Sequence, residues 1–337
     1  MSPHALTCHF PIDDPSRVAE VRRAAAKIAR DEGLTETACS EAEIVATEIA
    51  TNLLKHATQG EIQLTNLFGC GRPGIEILSI DRGPGMSDID RCSRDGFSSA
   101  GTAGTGLGAV ARLSDEFDAY SIPGKGTVLM SRIWASDTNP IGSWSVGAVA
   151  APIRGEEVSG DNWAIHLEAD GASLIVADGL GHGVLAAEAS QEAVTAFRNY
   201  AADSPVVALD QVHRRLRGTR GAAVAIAAID AARSKMRYAG IGNICGVIGG
   251  GPRMQSMVSH NGTAGHEARK LQEFSYELPA HWTVIMHSDG INTSWNLDRY
   301  PGLIHRHPSI IAGVVYRDAS RNRDDVCIVV VRNSRNR

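Results

Sequence analysis

Long apolar runs and paired cysteines are both missing from this chain of 337 residues. No stretch reaches the about 18 consecutive apolar residues of a membrane-spanning helix. The six cysteines are scattered, at positions 8, 39, 70, 92, 245 and 327, and no two have the spacing of a zinc knuckle or a redox CxxC motif. Isolated thiols are typical of a reducing compartment. The first residues also lack the basic start and apolar segment of a signal peptide, so we expect a cytoplasmic protein.

Aromatic residues and basic clusters are scarce as well. Aromatic residues make up 5% of the chain, so the core is expected to be aliphatic. The formal net charge is −5, no long basic run occurs, and a short Arg-rich stretch at the C-terminus is expected to be a solvated tail. A nucleic-acid-binding domain needs a basic face, and the sequence predicts none. Neither nucleic acid nor a membrane is therefore an expected partner.

Length and composition predict two globular domains. Globular chains have roughly 100–200 residues per domain, and this chain has an ordinary composition, 43% hydrophobic and 21% charged. The segment 135–143 is polar and contains residues that break helices and strands. We therefore expect one domain over residues 1–137 and a second over residues 138–337.

Helical patterns open the first domain, and strand patterns dominate the second. One helix is predicted over residues 15–33 and another over 40–57. The apolar stripe of the second helix is expected to contain Ile44, Ile49 and Leu53. Further elements of the first domain are strands at 61–68 and 75–81, a helix at 107–113 and a hairpin over 118–134. The second domain is expected to have helices at 183–200 and 205–217 and strands at 163–168, 173–177, 222–230, 236–239, 244–248, 283–287 and 326–331.

Three features of the first domain indicate a phosphate site. Glu48 and Asn52 are four residues apart and share one helix face, where they could activate a hydroxyl and hold Mg²⁺. Asp81 follows a strand and precedes two glycines, so it could accept a hydrogen bond from an adenine amino group. The glycine-rich segment 101–108 leads into a helix, whose free N–H groups could bind phosphates. Taken singly, the first two features are more typical of a solvated helix face and of a turn. The glycine loop alone is a weak signal, because it lacks the Walker lysine and the dinucleotide-binding spacing.

The order of these features resembles the nucleotide-binding boxes of the GHKL ATPase/kinase family. The resemblance covers about residues 10–135. The segments 106–118 and 124–127 are similar to the RsbT type, small serine/threonine kinases that act on STAS-domain proteins in bacterial stress signalling. The resemblance implies a GHKL α/β sandwich, a mixed sheet covered by helices, that binds ATP and Mg²⁺.

The same resemblance implies a role for each matching residue. Glu48 would be the general base, Asn52 would bind Mg²⁺, and Asp81 would bind adenine, with Gly83 and Gly85 making room for the base. The residues implied at the ATP phosphates are Gly104, Thr105, Gly106, Leu107 and Gly108.

Acidic residues in the second domain occur where predicted strands begin or end. Asp161, Asp178, Asp289 and Asp324 have this placement, and Gly179 and Gly290 follow two of them. Oxygen ligands favour Mg²⁺ or Mn²⁺ over zinc. Two such ions could activate a water and stabilise charge on a phosphoryl group. Ordinary Asp-Gly turns between strands are the alternative for any one of these residues.

The acidic motifs resemble the metal-dependent phosphatase (PPM) family in its SpoIIE/RsbX branch. The matching pieces are 159–161, 176–183, 220–222, 240–243, 287–290 and 323–326, within about residues 143–332. The resemblance implies an α-β-β-α sandwich that removes phosphate from phosphoserine or phosphothreonine. The implied metal ligands are Asp161, Asp178, Asp289, Asp324 and the Gly179 carbonyl, and His182 is a possible phosphate contact.

The combined prediction is a bifunctional regulator of stress or sigma-factor signalling. The first domain would phosphorylate a STAS-domain partner, either an RsbS/RsbR-like protein or an anti-sigma antagonist, and the second would remove the phosphate with two Mn²⁺ or Mg²⁺ ions. The main alternative is a phosphatase whose N-terminal half only binds ATP or a partner, as an anti-sigma-like module does. Glu48 favours kinase chemistry, since a binding module needs no base. A scaffold with two degenerate sites is disfavoured because every metal position holds Asp, and homodimerisation is left open.

Overall fold

The computed structural model describes residues 7–67, 72–88, 106–135, 141–202, 204–251, 253–268 and 270–333. They form two compact units. The first unit contains the described residues up to 135 and also Tyr300–Arg317, and the second contains those from 141 to Arg299 and from Asp318 onward. The predicted boundary at 137/138 lies outside the described residues and stays a prediction.

The first unit is built on one five-stranded sheet, with the strand order β1-β2-β3-β5-β4. All of its described ladders are antiparallel, whereas a mixed sheet was expected. The strands are β1 (Thr7–Pro11), β2 (Glu61–Asn66), β3 (Gly74–Ile80), β4 (Glu116–Ile122) and β5 (Gly126–Trp134). The helices are α1 (Ser16–Asp31), α2 (Glu36–His56) and α3 (Gly106–Leu113).

Helix α2 shows how local sequence fixes an element that carries site residues. The Thr35 side chain caps its start by accepting a hydrogen bond from the Ala38 N–H at 3.2 Å. Its buried stripe includes Val45, Ile49 and Leu53, spaced four residues apart. Ile44 lies outside this stripe and is exposed, so its predicted place in the core was wrong.

A helix from the C-terminal part of the sequence completes the first unit. This helix, α6 (Pro308–Ala319), packs against the β3 and β5 residues that point away from α1 and α2. Ile75 and Ile77 belong to the core under those helices, so the alternation of a strand turns Glu76 to the other face. There the Ser309 hydroxyl donates a hydrogen bond to Glu76 Oε2 at 2.6 Å.

The contact with α6 is both polar and apolar. Arg132 donates to Glu76 Oε2 through Nε at 2.7 Å and to the Ser309 hydroxyl at 3.2 Å, and all three residues are buried. One turn further along α6, a Cβ on Gly313 would lie 2.7 Å from Val128 Cγ1. The sequence analysis does not predict this helix, because most of its residues are buried and they show no amphipathic period.

The second unit consists of two stacked antiparallel sheets. Their strand orders are β13-β10-β9-β8-β7 and β12-β11-β14-β15-β6. The strands of the first are β7 (Asp161–Leu167), β8 (Gly171–Gly179), β9 (Ala222–Asp230), β10 (Lys235–Ile241) and β13 (Phe274–Glu277). Those of the second are β6 (Trp144–Ala151), β11 (Cys245–Gly249), β12 (Gln255–Ser256), β14 (Thr283–His287) and β15 (Val326–Asn333).

Two helices, α4 (Val184–Tyr200) and α5 (Pro205–Arg215), pack on the first sheet of this unit. Strands β6 and β15 of the other sheet contact β7 and β8, so the core lies between the sheets and under the helices. The predicted two-domain α/β class is confirmed, and β9 and β14 have the predicted bounds. None of the described helices is long and apolar enough to cross a membrane.

Candidate active sites

The first candidate site lies where α2 faces the start of α3. A Cβ on Gly106 would lie 3.1 Å from Glu48 Oε2 and 3.4 Å from Asn52 Nδ2. Any side chain at position 106 would therefore crowd both groups. The first N–H groups of a helix have no partner within that helix, so the acid and the amide lie beside a group of donors suited to anions.

Asp81 lies at the end of β3 and is buried. The Gly83 N–H donates to its Oδ1 at 2.6 Å, and the Asp81 N–H donates to the Thr127 carbonyl at 2.9 Å. Burial raises the pKa of this carboxyl, although hydrogen bonds from Gly83 and Thr127 and the charge of Arg317 act in the other direction. A carboxylate has about four lone-pair sites, so Asp81 can accept a further hydrogen bond from a ligand.

The turn after Asp81 requires glycine at position 85. Its φ is +68°, and a Cβ there would lie 2.3 Å from the Ile122 carbonyl oxygen. The same turn is held by the Met86 N–H, which donates to the Ser121 hydroxyl at 2.7 Å. Gly85 thus lets the turn lie close to the β4–β5 hairpin, while Gly83 lets it lie against the end of α2, where a Cβ would be 3.1 Å from the His56 carbonyl oxygen.

The predicted phosphate loop is described only in part. Gly104 and Thr105 lie outside the described residues. Gly106 opens α3, Leu107 packs against the core of the unit, and Gly108 is buried. Glu48, Asn52 and Gly106 are thus brought together, while the roles predicted for them stay predictions.

The second candidate site is a cluster of four carboxylates in the second unit. Asp161 and Asp178 are direct cross-strand partners on β7 and β8. Asp289 follows β14, and Asp324 precedes β15 by two residues. The charges of Asp289 and Asp324 act on Asp178, and that of Asp178 acts on Asp161, so four acids far apart in sequence meet in one place.

The cluster strongly disfavours its own ionisation. Burial and then the neighbouring charges of Asp289 and Asp324 raise the pKa of Asp178 from 3.8 to about 7. Burial and the charge of Asp178 raise the pKa of Asp161 well above its usual range, although a hydrogen bond with Ser288 opposes this. Burial also raises the pKa of Asp289. A bound cation would stabilise the ionised form of such a group of one buried and three half-buried carboxylates.

Two neighbouring side chains hold the acids in place. Asn243 donates from Nδ2 to Asp289 Oδ2 at 2.6 Å. The Ser288 hydroxyl accepts from the Cys327 N–H at 2.9 Å, which ties the turn before Asp289 to β15. Sequence reasoning placed Asn243 and Ser288 inside matching motifs and assigned neither of them a role.

Asp325 has a different position from its neighbour Asp324. Its Oδ1 accepts from the Ile153 N–H at 2.7 Å, and its Oδ2 accepts from the Gly160 N–H at 2.9 Å. Both oxygens therefore fix the segment that leads into Asp161. Because both carboxylate oxygens of Asp325 already accept hydrogen bonds, Asp324 is favoured as the metal ligand of the pair, as the sequence predicts.

Two glycines of the cluster allow backbone segments to touch. A Cβ on Gly179 would lie 2.0 Å from the Ala186 carbonyl oxygen, and one on Gly290 would lie 2.0 Å from the Asp325 carbonyl oxygen. Larger residues would push the turns that follow Asp178 and Asp289 away from the cluster. His182 is exposed, and its Nδ1 pairs with Glu156 Oε1 at 2.8 Å, so this nitrogen is engaged.

The donor set fits a divalent cation of the Mg²⁺ or Mn²⁺ type. Asp161 Oδ2 is buried and has no hydrogen-bond partner among the described residues, and a bound cation would offset the desolvation of this carboxylate oxygen. All four side chains offer oxygen. No three His, Cys, Asp or Glu side chains in the described ranges already form a ligand shell.

Comparison with known families gives two matches along the chain. Residues 12–132 match the histidine kinase-like ATPase domains. Residues 168–334 match stage II sporulation protein E, SpoIIE.

Two curated relatives and one solved structure show similarity. The serine/threonine-protein kinase RsbT of Bacillus subtilis (strain 168) is 39% identical over 87 residues, which are 26% of this chain and 65% of RsbT. This chain thus spans slightly less than two thirds of RsbT. The phosphoserine phosphatase RsbX of the same strain is 28% identical over 143 residues, 41% of this chain and 70% of RsbX. A chain from a structure of the bacterial stressosome, a modular system adapted to control secondary messenger signaling, is 26% identical with a TM-score of 0.52, covering 56% of this chain and 99% of that chain.

Proposed function

We propose a function for a chain that belongs to two families, the histidine kinase-like ATPase domains over its N-terminal part and the SpoIIE family over its C-terminal part. The function consists of two opposed reactions on one protein target. The first unit transfers the γ-phosphate of ATP to a serine or threonine, and the second unit hydrolyses the resulting phosphoester. The proposed target is a STAS-domain protein, by analogy with the similarity to RsbT and RsbX.

The observation that carries the hydrolase is the grouping of Asp161, Asp178, Asp289 and Asp324. Asp161 Oδ2 in this group is buried and has no hydrogen-bond partner in the described part of the chain. Two Mn²⁺ or Mg²⁺ ions held there would supply an activated water and stabilise charge on the phosphoryl group. Asn243 keeps one oxygen of Asp289 engaged, so the other oxygen is left for an ion. Asp325 fixes the backbone beside Asp161, and this orients the Asp161 carboxylate toward an ion.

The kinase rests on Glu48, Asn52 and Gly106. The Glu48 carboxylate lies beside the start of α3, where it can accept the proton of an acceptor hydroxyl. Asn52, one turn further along α2, offers an oxygen to Mg²⁺. Asp81 is buried and fixed by the backbone, so it can accept from the adenine amino group in one orientation.

The second candidate is a phosphatase whose first unit binds ATP or a partner without catalysis. Glu48 distinguishes the two hypotheses, because ATP binding alone needs Asn52 and Asp81 but does not need a general base. We favour the kinase because the Glu48 carboxylate lies next to Asn52 and the helix start.

The test uses the full chain with STAS-domain proteins encoded beside its gene. Radiolabelled ATP is added first to follow transfer, and Mn²⁺ is then added to the purified phosphoprotein to follow release. The variant Glu48→Gln should abolish transfer and leave release unchanged, while Asp289→Asn should do the opposite. Transfer by Glu48→Gln at the wild-type rate would show that Glu48 is not the base, and release that continues in EDTA would refute the metal-dependent hydrolase.

A further inference from the structure

Exposed apolar side chains are concentrated beside the acid cluster. Four of the large hydrophobic residues that are exposed in the described part of the chain lie close in sequence to Asp161 and Asp178, two of them on turns and two at the start of α4. They are Val158, Leu180, Val184 and Leu185, with 42%, 56%, 63% and 50% of their surface exposed. We call these four residues the apolar rim.

The apolar rim comes from two segments that are fastened to each other. Glu156 of one segment pairs with His182 of the other at 2.8 Å. The Gly179 N–H donates to the Gly160 carbonyl at 3.1 Å, and a Cβ on Gly160 would lie 2.9 Å from the Ala186 Cβ. The two segments that carry the apolar rim are therefore held together next to Asp161 and Asp178.

A positive charge accompanies this surface. The Arg220 guanidinium lies over the turn that follows Asp178, since a Cβ on Gly181 would be 3.1 Å from its Nη1. A phosphorylated residue carries a dianionic group, which an arginine and a cation-binding cluster both favour. Exposed apolar surface next to a polar site commonly marks an interaction site.

We propose that the apolar rim recognises apolar side chains that directly neighbour the phosphorylated serine or threonine of a protein substrate. The inference rests on the proposed phosphatase function and names the substrate feature that this site selects. In an extended chain each residue spans about 3.3 Å, so residues one to three positions from the phosphoresidue can reach turns that begin next to the acids. The occupant is thus a phosphoprotein segment with Leu, Ile or Val flanks.

The experiment uses two synthetic phosphothreonine peptides that differ only in their flanks, Leu and Val in one and Ser in the other. Hydrolysis is measured with Mn²⁺ for the full-length wild type, for Leu180→Ser/Val184→Ser and for the matched control Val207→Ser, an exposed site on α5. p-Nitrophenyl phosphate, which has no flanks, serves as the reference substrate. Binding of both peptides is followed separately by fluorescence anisotropy, so that recognition is read without turnover.

With the wild type, we expect kcat/KM to be about tenfold higher for the peptide with apolar flanks than for the peptide with Ser flanks. Burial of one aliphatic side chain provides a free energy of this size. The double variant should lose this preference, hydrolyse p-nitrophenyl phosphate as the wild type does and remain folded, while Val207→Ser should keep the preference. Absence of a preference in the wild type, or its persistence in the double variant, overturns the inference. The inference is also overturned if the wild type is a dimer, the double variant is a monomer and both keep the peptide preference. In that case a second copy of the chain, and not the substrate, covers the apolar rim. If no phosphoester is hydrolysed but anisotropy still shows binding that depends on Leu180 and Val184, the proposed hydrolase is wrong and the recognition surface stands.

Discussion

Replacing Asp178 by Asn should stabilise the second unit when divalent cations are absent. The pKa of this carboxyl is raised from 3.8 to about 7 in the folded chain by burial and by Asp289 and Asp324. The folded state then binds the proton more tightly than the unfolded state, so ionisation destabilises the fold as the pH rises from about 4 to about 7. At about 1.4 kcal/mol per pKa unit, the penalty at pH 8 is up to about 4 kcal/mol. Because the amide of Asn is also partly desolvated, we expect a gain of about 2 kcal/mol or more.

The assay is urea unfolding in EDTA, followed by tryptophan fluorescence. Trp163 on β7 and Trp282 beside β14 are buried in the second unit, so they report on it directly. The gain should be largest at pH 8 and should shrink as the pH falls below 7, since the wild-type carboxyl then takes up its proton. Added Mn²⁺ should stabilise the wild type in proportion to the logarithm of its concentration and the variant much less.

The matched control is Asp298→Asn, which removes the same charge from an exposed position of the same unit. It should change neither the stability in EDTA nor the response to Mn²⁺. A variant Asp178→Asn that is less stable than the wild type in EDTA at pH 8, or that responds to Mn²⁺ as strongly, would refute the view that these carboxylates repel each other and bind the ion together.

Two further predictions follow from the hydrogen bonds around each site. Asn243→Ala should raise the Mn²⁺ concentration for half-maximal hydrolysis of p-nitrophenyl phosphate about tenfold, with little change in rate at saturating Mn²⁺, because the orientation of Asp289 is lost. The control is Asn199→Ala, on the exposed side of α4. Equal Mn²⁺ dependence for the two variants would contradict the role of Asn243 in orienting Asp289. Arg132→Met should destabilise the first unit by about 3–5 kcal/mol, because Glu76 is left buried without the Arg132 guanidinium. Urea unfolding, monitored through hydrogen exchange of the β3 and β5 amides, measures this loss. A Glu76→Leu/Arg132→Leu double variant should lose much less, and an equal loss would contradict this account.

The sequence predicted well those features that depend on local pattern or on a fixed motif. The strands β9 and β14 are short apolar runs between turns, and both have the predicted bounds. The four acids of the second unit were identified because each stands at a strand end in a matching motif, and the structure brings them together. Their roles as ligands stay predictions.

Features that depend on distant partners could not be read from local sequence. Ile44 and Val45 are both apolar, and only the packing of α2 shows that Val45 belongs to the core. The amide of Asn243 lies 2.6 Å from Asp289, 46 positions later, and only the fold brings these two residues together. Helix α6 has no polar face, and the neighbour that buries it, the β3–β5 surface, lies far away in sequence.

The position of α6 also determines where this chain can be truncated without damage to the first unit. A gene fragment that ends at residue 137 would leave out Ser309 and Gly313, and would open to water the face on which Glu76, Arg132 and Val128 are covered. A kinase assay on such a fragment would report on a damaged sheet and could be misread as a lack of activity. The natural minimal unit joins the early residues to Tyr300–Arg317, and a synthetic peptide of that sequence, added in trans, should restore the fold of the truncated fragment.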